Sequence, residues 1–141
     1  MKDIEFILRG FAMLMEGSQY RPSMTRFLNR FSKHCKSLGE EDVQYLFDLF
    51  KSFLGVATGL GPRSFVNPHS RRFNISMFDA VFTAICASAV QEKTLRLPSI
   101  DSDRLKNLLE DKTFTRASQH GTANKDAVEI RLRKAREHLL G

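Results

Sequence analysis

The chain has 141 residues, 42% of them hydrophobic and 27% charged, a composition that suits one domain with a real core and excludes a disordered chain. The formal net charge of +6 permits contact with phosphates or with an acidic partner but does not require either. Cys35 and Cys86 lie far apart and the four histidines are scattered, so the sequence predicts no structural zinc site and two buried, reduced thiols.

Neither a targeting segment nor a membrane span is predicted. Charges of both signs at Lys2, Asp3 and Glu5 do not fit a signal peptide. The longest apolar run, near 84–90, is far shorter than the roughly 18 to 20 residues that cross a bilayer. We therefore expect a cytoplasmic protein that needs no membrane, metal ion or cofactor.

The first half of the chain predicts three amphipathic helices, over about 2–16, 24–37 and 41–54. In each of them, apolar residues recur at the three- and four-residue spacing of a core-facing helix. Gly17 and Pro22 mark the break between the first two helices, because glycine ends helices and proline cannot continue them.

The stretch 56–74 is the least regular part of the sequence, and we expect a long ordered loop with one turn of helix at most. Its glycine-rich start, "GVATGLG" (55–61), is not expected to bind nucleotide phosphates. A phosphate-binding loop of that kind ends in Lys and follows a strand, whereas here a helix precedes the glycines and Pro62 follows them.

The second half predicts the most apolar helix, over about 75–92, then a short helix over about 102–111 and a last helix over about 124–140. The stretch between these last two is polar with one Phe. No repeat or strand-like alternation occurs, so the predicted class is all-α, a compact bundle of about six helices around the central helix 75–92. We expect one domain, 1–141, which divides into three N-terminal helices (1–55), a basic loop (56–74) and the C-terminal helices (75–141).

Three groups of cations are the candidate functional surfaces. They are Arg26, Arg30 and Lys33 on one face of the second helix, Arg63, Arg71 and Arg72 in the loop, and Arg131 and Lys134, with Arg133 and Arg136, in the last helix. Each group has two interpretations. It is either a solvated helix face that pairs with some of the sixteen acids, or a surface that contacts nucleic-acid phosphates without reading sequence.

No arrangement of catalytic residues is found, and we predict none. His34 adjoins Cys35, but neighbours on a helix point about 100° apart and do not form a nucleophile–base pair. Asp79 is a single acid on the most apolar helix, where a core carboxylate paired with an Arg is favoured over a catalytic one.

Three stretches, in order along the chain, resemble the helical region of GmrSD-like proteins of the ParB/sulfiredoxin superfamily in bacteria. The first is "KDIEFILRGFAMLMEGSQYRPSMTRFLNRF", with Asp3 and Glu5, Leu8–Arg9, Phe11–Ala12, Tyr20 and Phe27–Leu28–Asn29 at matching places. The others are "RRFNISMFDAVFTAI" and "GTANKDAVEIRLRKAREHLL", the latter with a Thr/Asn start and Arg131 in mid-helix.

The resemblance implies that this helical part follows a ParB-like domain which carries a "DGQQR"-type motif and hydrolyses nucleotides in DNA restriction and phage defence. That motif does not occur in the 141 residues, so no catalytic role is carried over to any of them. The expected function is a non-catalytic scaffold that packs against such a domain. The alternative is a nucleic-acid-binding helical domain, and an oligomeric state is not predicted.

Overall fold

The computed structural model describes residues 2–61, 64–66 and 71–141, with side chains from residue 4 onward. This part of the chain folds into seven α-helices: α1 (Lys2–Glu16), α2 (Met24–Cys35), α3 (Glu40–Ala57), α4 (Ile75–Glu92), α5 (Ser102–Glu110), α6 (Lys112–Gln119) and α7 (Lys125–Leu140). Short 3-10 turns follow α1 and α3. An isolated bridge between Val66 and Phe73 is the sole β-pairing among the described residues. The predicted all-α bundle is therefore confirmed.

One helix, α6, is absent from the sequence-based prediction, which gave about six helices. Asp111 ends α5 and also caps α6, because its Oδ1 accepts the amides of Thr113 (2.9 Å) and Phe114 (3.2 Å). Phe114, Ala117 and Ser118 are buried. A polar stretch with one large apolar residue becomes a helix because it is capped at its start and packed on one side.

The central position of α4 is confirmed. Eleven of its residues are buried, and its N-terminus is capped by Asn74, whose side chain accepts the amides of Ser76 and Met77. Among the described helices, α4 has the length and apolar composition to cross a membrane, but 61% of it is buried inside the bundle. It is a core helix enclosed by α1, α3 and α7.

Phenylalanine rings join α1 and α3 to the central helix. Phe78 and Phe82 of α4 stack on each other, and Phe53 of α3 meets Phe82 edge-on at a centroid distance of 5.0 Å. Gly10 lets α1 approach the two rings of α4 closely, since a Cβ atom at this position would lie 3.2 Å from the Phe78 ring and 3.2 Å from the Phe82 ring. The aromatic packing therefore holds one side of α3 against α4, and the other sides of α3 take no part in these contacts with α4.

Candidate protein-docking site

Helix α3 is apolar on more of its surface than this chain covers. Its inner stripe, Tyr45, Leu49, Phe53 and Val56, belongs to or packs against the main core. A second stripe, which we call the outer stripe, consists of Val43, Phe47, Phe50 and Leu54. At about 100° per residue the two stripes together span roughly 200° of the helix circumference, twice the arc of about 100° that one core requires.

The outer stripe is largely open to solvent. Phe47 is 57% exposed, Val43 52% and Leu54 50%, while Phe50 is half-buried against the Phe11 ring at 6.2 Å. Lys51 covers one side of the Phe47 ring, with its Nζ 4.6 Å from the ring centroid. Large apolar side chains in a contiguous exposed row mark interaction surfaces more often than chance.

An apolar groove adjoins the outer stripe. Its cavity volume is about 360 Å³, and it is lined by Ile4, Ile7, Leu8 and Phe11 of α1, Phe31 and Cys35 of α2, and Leu46 of α3. Ile4 is 68% exposed. Phe11 belongs to the groove and touches Phe50 of the outer stripe, so the two features form one continuous surface, which we call the docking face.

The two cysteines differ in their relation to this surface. Cys35 is half-buried in the groove, and burial raises the pKa of its thiol, with a smaller contribution from nearby Glu16. Cys86 is fully buried on α4, where burial raises its pKa to about 12. The prediction of two buried thiols is right for Cys86 and wrong for Cys35, because the side of α2 that carries Cys35 faces the open groove.

The predicted cations on α2 and before α4 do lie at the surface. Arg26, Arg30 and Lys33 are exposed on α2, and Arg71 and Arg72 are exposed before the start of α4. Arg63 lies outside the described residues.

The C-terminal group of cations is corrected by the structure at Arg131. This side chain is only 2% exposed, and its Nη1 donates to the carbonyls of Ala117 and Thr122, at 2.8 Å each. Burial lowers its pKa to about 10, so it stays charged at neutral pH. Arg131 thus holds the connection between α6 and α7 and cannot reach a phosphate in this fold.

Lys134 is also engaged within the protein. Its side chain is 23% exposed, and its Nζ lies 3.4 Å from Asp111 Oδ2 and 3.6 Å from Glu137 Oε2. Arg133 pairs with the same Glu137 at 3.6 Å. Arg133 and Lys134 therefore fit the salt-bridge interpretation, while Arg136 of the same helix is exposed.

Asp79 is a buried, paired carboxylate, as the favoured interpretation expected. Arg9 Nε donates to its Oδ2 at 2.5 Å, and Arg9 Nη2 donates to Ser76 Oγ at 3.1 Å. Burial raises the pKa of Asp79 to about 6, against the lowering effect of Arg9 and Arg131. Its Oδ1 has no hydrogen-bond partner within the described ranges. The pair ties α1 to α4 behind the docking face.

Sequence reasoning missed the docking face, although one signal was present. The predicted helix 41–54 contains seven large apolar residues, more than one buried face needs, and they include members of both stripes: Val43, Leu46, Phe47, Leu49, Phe50, Phe53 and Leu54. The angular width of the apolar surface around the helix axis, rather than the number of apolar residues, would have predicted an uncovered side on α3.

Neither a cluster of metal ligands nor a similar known protein points to a function. In the part of the chain that the structure describes, no three His, Cys, Asp or Glu side chains cluster as metal ligands would. Comparison of the chain with models of known protein families, with curated proteins and with solved structures finds no match in any of the three.

Proposed function

We propose that the chain is a helical interaction module whose docking face packs against a partner protein domain. The partner we infer is the ParB-like nucleotide-hydrolysing domain that the resemblance of the first, second, fourth and last helices implies. In this role the chain is a non-catalytic scaffold of a bacterial restriction or phage-defence protein.

The outer stripe of α3 is the observation that carries this proposal. Phe47, Leu54 and Val43 are at least half exposed, and they continue into a groove with almost wholly apolar walls. An apolar helix row beside a groove is the geometry with which proteins accept a helix of a partner. Burying such a surface supplies the hydrophobic contribution that a stable interface between domains requires.

The proposal is tested by binding between purified proteins. A ParB-like domain encoded beside this chain is titrated into the full chain by calorimetry, and into the double variant Phe47→Asp/Leu54→Asp. We expect the variant to bind at least about tenfold more weakly, because two buried apolar contacts would be replaced by unpaired charges. Urea denaturation of both proteins checks that the variant remains folded.

Leu95→Asp is the matched control. Leu95 is 44% exposed and lies in the connection between α4 and α5, outside the docking face. We expect this control to bind like the parent chain. Equal binding by all three proteins would contradict the proposal. It would also be contradicted if the chain formed a homodimer through Phe47 and this homodimer did not bind the ParB-like domain.

Cys35 provides a second readout of the same contact. Because it lines the groove, alkylation of Cys35 should slow when the partner is bound. An unchanged alkylation rate at saturating partner would show that the groove stays open and that the partner binds elsewhere.

A further inference from the structure

The positive charge of the chain is concentrated in one short segment. Residues 17–39, which contain α2 and its flanks, carry five Lys and Arg residues and no Asp or Glu. The formal net charge of the whole chain is +6, so the remainder is nearly neutral. Cations gathered along one helix are the electrostatic footprint of a polyanion-binding surface, whereas an evenly spread excess is not.

All five cations of this segment are at the surface: Arg21, Arg26, Arg30, Lys33 and Lys36. Within the described ranges, no carboxylate lies within 4 Å of their charged groups. The nearest acid seen in contact with α2 is Glu16, and it bonds to His34 at 2.7 Å instead. The charges of α2 are thus not paired with carboxylates within the described residues, whereas Arg133 and Lys134 of α7 are.

Three of these cations form a ridge along α2, which we call the α2 ridge: Arg26, Arg30 and Lys33. At about 100° and 1.5 Å per residue they fall within an arc of roughly 60° and extend over about 10 Å. Each DNA strand carries one phosphate per roughly 3.4 Å of helix axis, so the ridge matches about three phosphates. The Arg30 guanidinium lies over the Phe27 ring, 5.9 Å from its centroid, which restrains one member of the ridge.

We propose that the α2 ridge binds the phosphate backbone of duplex DNA without reading base sequence. A duplex is favoured over a single strand because the two Phe side chains of α2 are buried, so α2 offers no exposed aromatic ring on which an unpaired base could stack. The ridge lies on the opposite side of α2 from Cys35, so DNA and a partner in the groove occupy different surfaces.

Fluorescence anisotropy with a labelled duplex of about 20 base pairs tests the proposal on the full chain, between about 50 and 200 mM salt. The variant Arg26→Gln/Arg30→Gln/Lys33→Gln removes the ridge. The control Arg104→Gln/Lys106→Gln/Arg116→Gln removes the same charge from exposed positions on α5 and α6. Circular dichroism checks that all three proteins keep the helical fold.

We expect the parent chain and the control to bind with similar, steep salt dependence. The ridge variant should lose three phosphate contacts, so the slope of log K against log salt becomes shallower by about 2.7, and affinity at low salt falls at least about tenfold. Equal weakening by the ridge variant and the control would show a net-charge effect and overturn the proposal. Absence of binding at low salt, or binding to anionic lipid vesicles but not to DNA, would overturn it as well.

Discussion

At the scale of single residues, the buried pair Arg9–Asp79 joins α1 to α4 through two opposite charges. Asp79 is 1% exposed, and its one ion pair with a described residue is with Arg9, whose side chain is itself 12% exposed. A buried ion pair adds little net stability over an apolar pair, but removing one member leaves the other charge unpaired and costly. The effect of replacing either residue on stability should therefore depend on whether the other residue still carries its charge.

Arg9→Met tests this dependence. We expect the free energy of unfolding to fall by about 3–5 kcal/mol, because the Asp79 carboxylate is left buried without its cation. The double variant Arg9→Met/Asp79→Leu should recover most of the loss, since neither charge remains. Urea denaturation of both variants measures the two values. A double variant as unstable as Arg9→Met would show that the loss comes from packing and not from the unpaired charge.

At the scale of elements, the end of α4 is stabilised by hydrogen bonds but has an unfavourable residue at its terminus. Lys93 has φ +54°, in the left-handed region, and its amide donates to Val90 while that of Thr94 donates to Ala89. This is a Schellman end, in which glycine is the usual residue.

Lys93→Gly is therefore expected to stabilise the protein by a few tenths to about 1 kcal/mol. The left-handed conformation costs a non-glycine residue about 1–2 kcal/mol, which exceeds the entropic cost of glycine. The ion pair that is lost, Lys93–Asp42 at 4.0 Å, is exposed and contributes little. Lys93→Ala is the control: it removes the same charge and keeps the strained conformation, so a gain equal to that of glycine would point to charge instead.

Asp111 joins three helices, and its ionisation should be visible in the pH dependence of stability. It caps α6 and accepts from His138 Nε2 at 2.9 Å, and that bond, with those from Phe114 and Lys134, lowers its pKa from 3.8 to about 2. Because the pKa is lower in the folded state, this stabilisation is present above about pH 4 and is lost as the pH falls towards 2.

Asp111→Asn separates the cap from the charge. Asparagine caps helices as well as aspartate, so α6 should persist while the pH dependence between about 4 and 2 becomes weaker. Asp111→Ala should in addition lose about 1 kcal/mol at neutral pH through the missing cap. Thermal unfolding over this pH range gives both quantities. An Asn variant with the pH profile of the parent chain would assign the effect to another acid.

At the scale of the whole molecule, the two thiols report on different states of the chain. We expect Cys35 to react with a thiol reagent in the folded protein, because it is half-buried in an open groove, and Cys86 to react only after unfolding. Labelling should show one fast and one slow thiol, and urea should accelerate the slow one alone. In Cys35→Ser the fast thiol should disappear. If both thiols reacted at the same rate, Cys86 on α4 would be as accessible to the reagent as Cys35 in the groove, which would contradict the prediction.

Sequence reasoning predicted the fold well because the fold follows local patterns. The apolar spacing of 75–92 predicted the central helix with its observed bounds, and the polar residues just before α2 and α4, Ser23 and Asn74, are of the kind that caps helices and do so here. It failed at Arg131, which lies in a basic stretch and is buried all the same, since only the tertiary fold brings the carbonyls of Ala117 and Thr122 to it. It also failed at the docking face, because an apolar residue on a helix does not reveal which neighbour covers it.

The outer stripe of α3 has a consequence for the chain before any partner is bound. Val43, Phe47 and Leu54 stay in water on an otherwise well-packed bundle, and such surfaces promote aggregation and recruit chaperones. The outer stripe should therefore limit the solubility of the chain produced alone, and Phe47→Asp/Leu54→Asp, which removes two of its exposed apolar side chains, should raise that solubility.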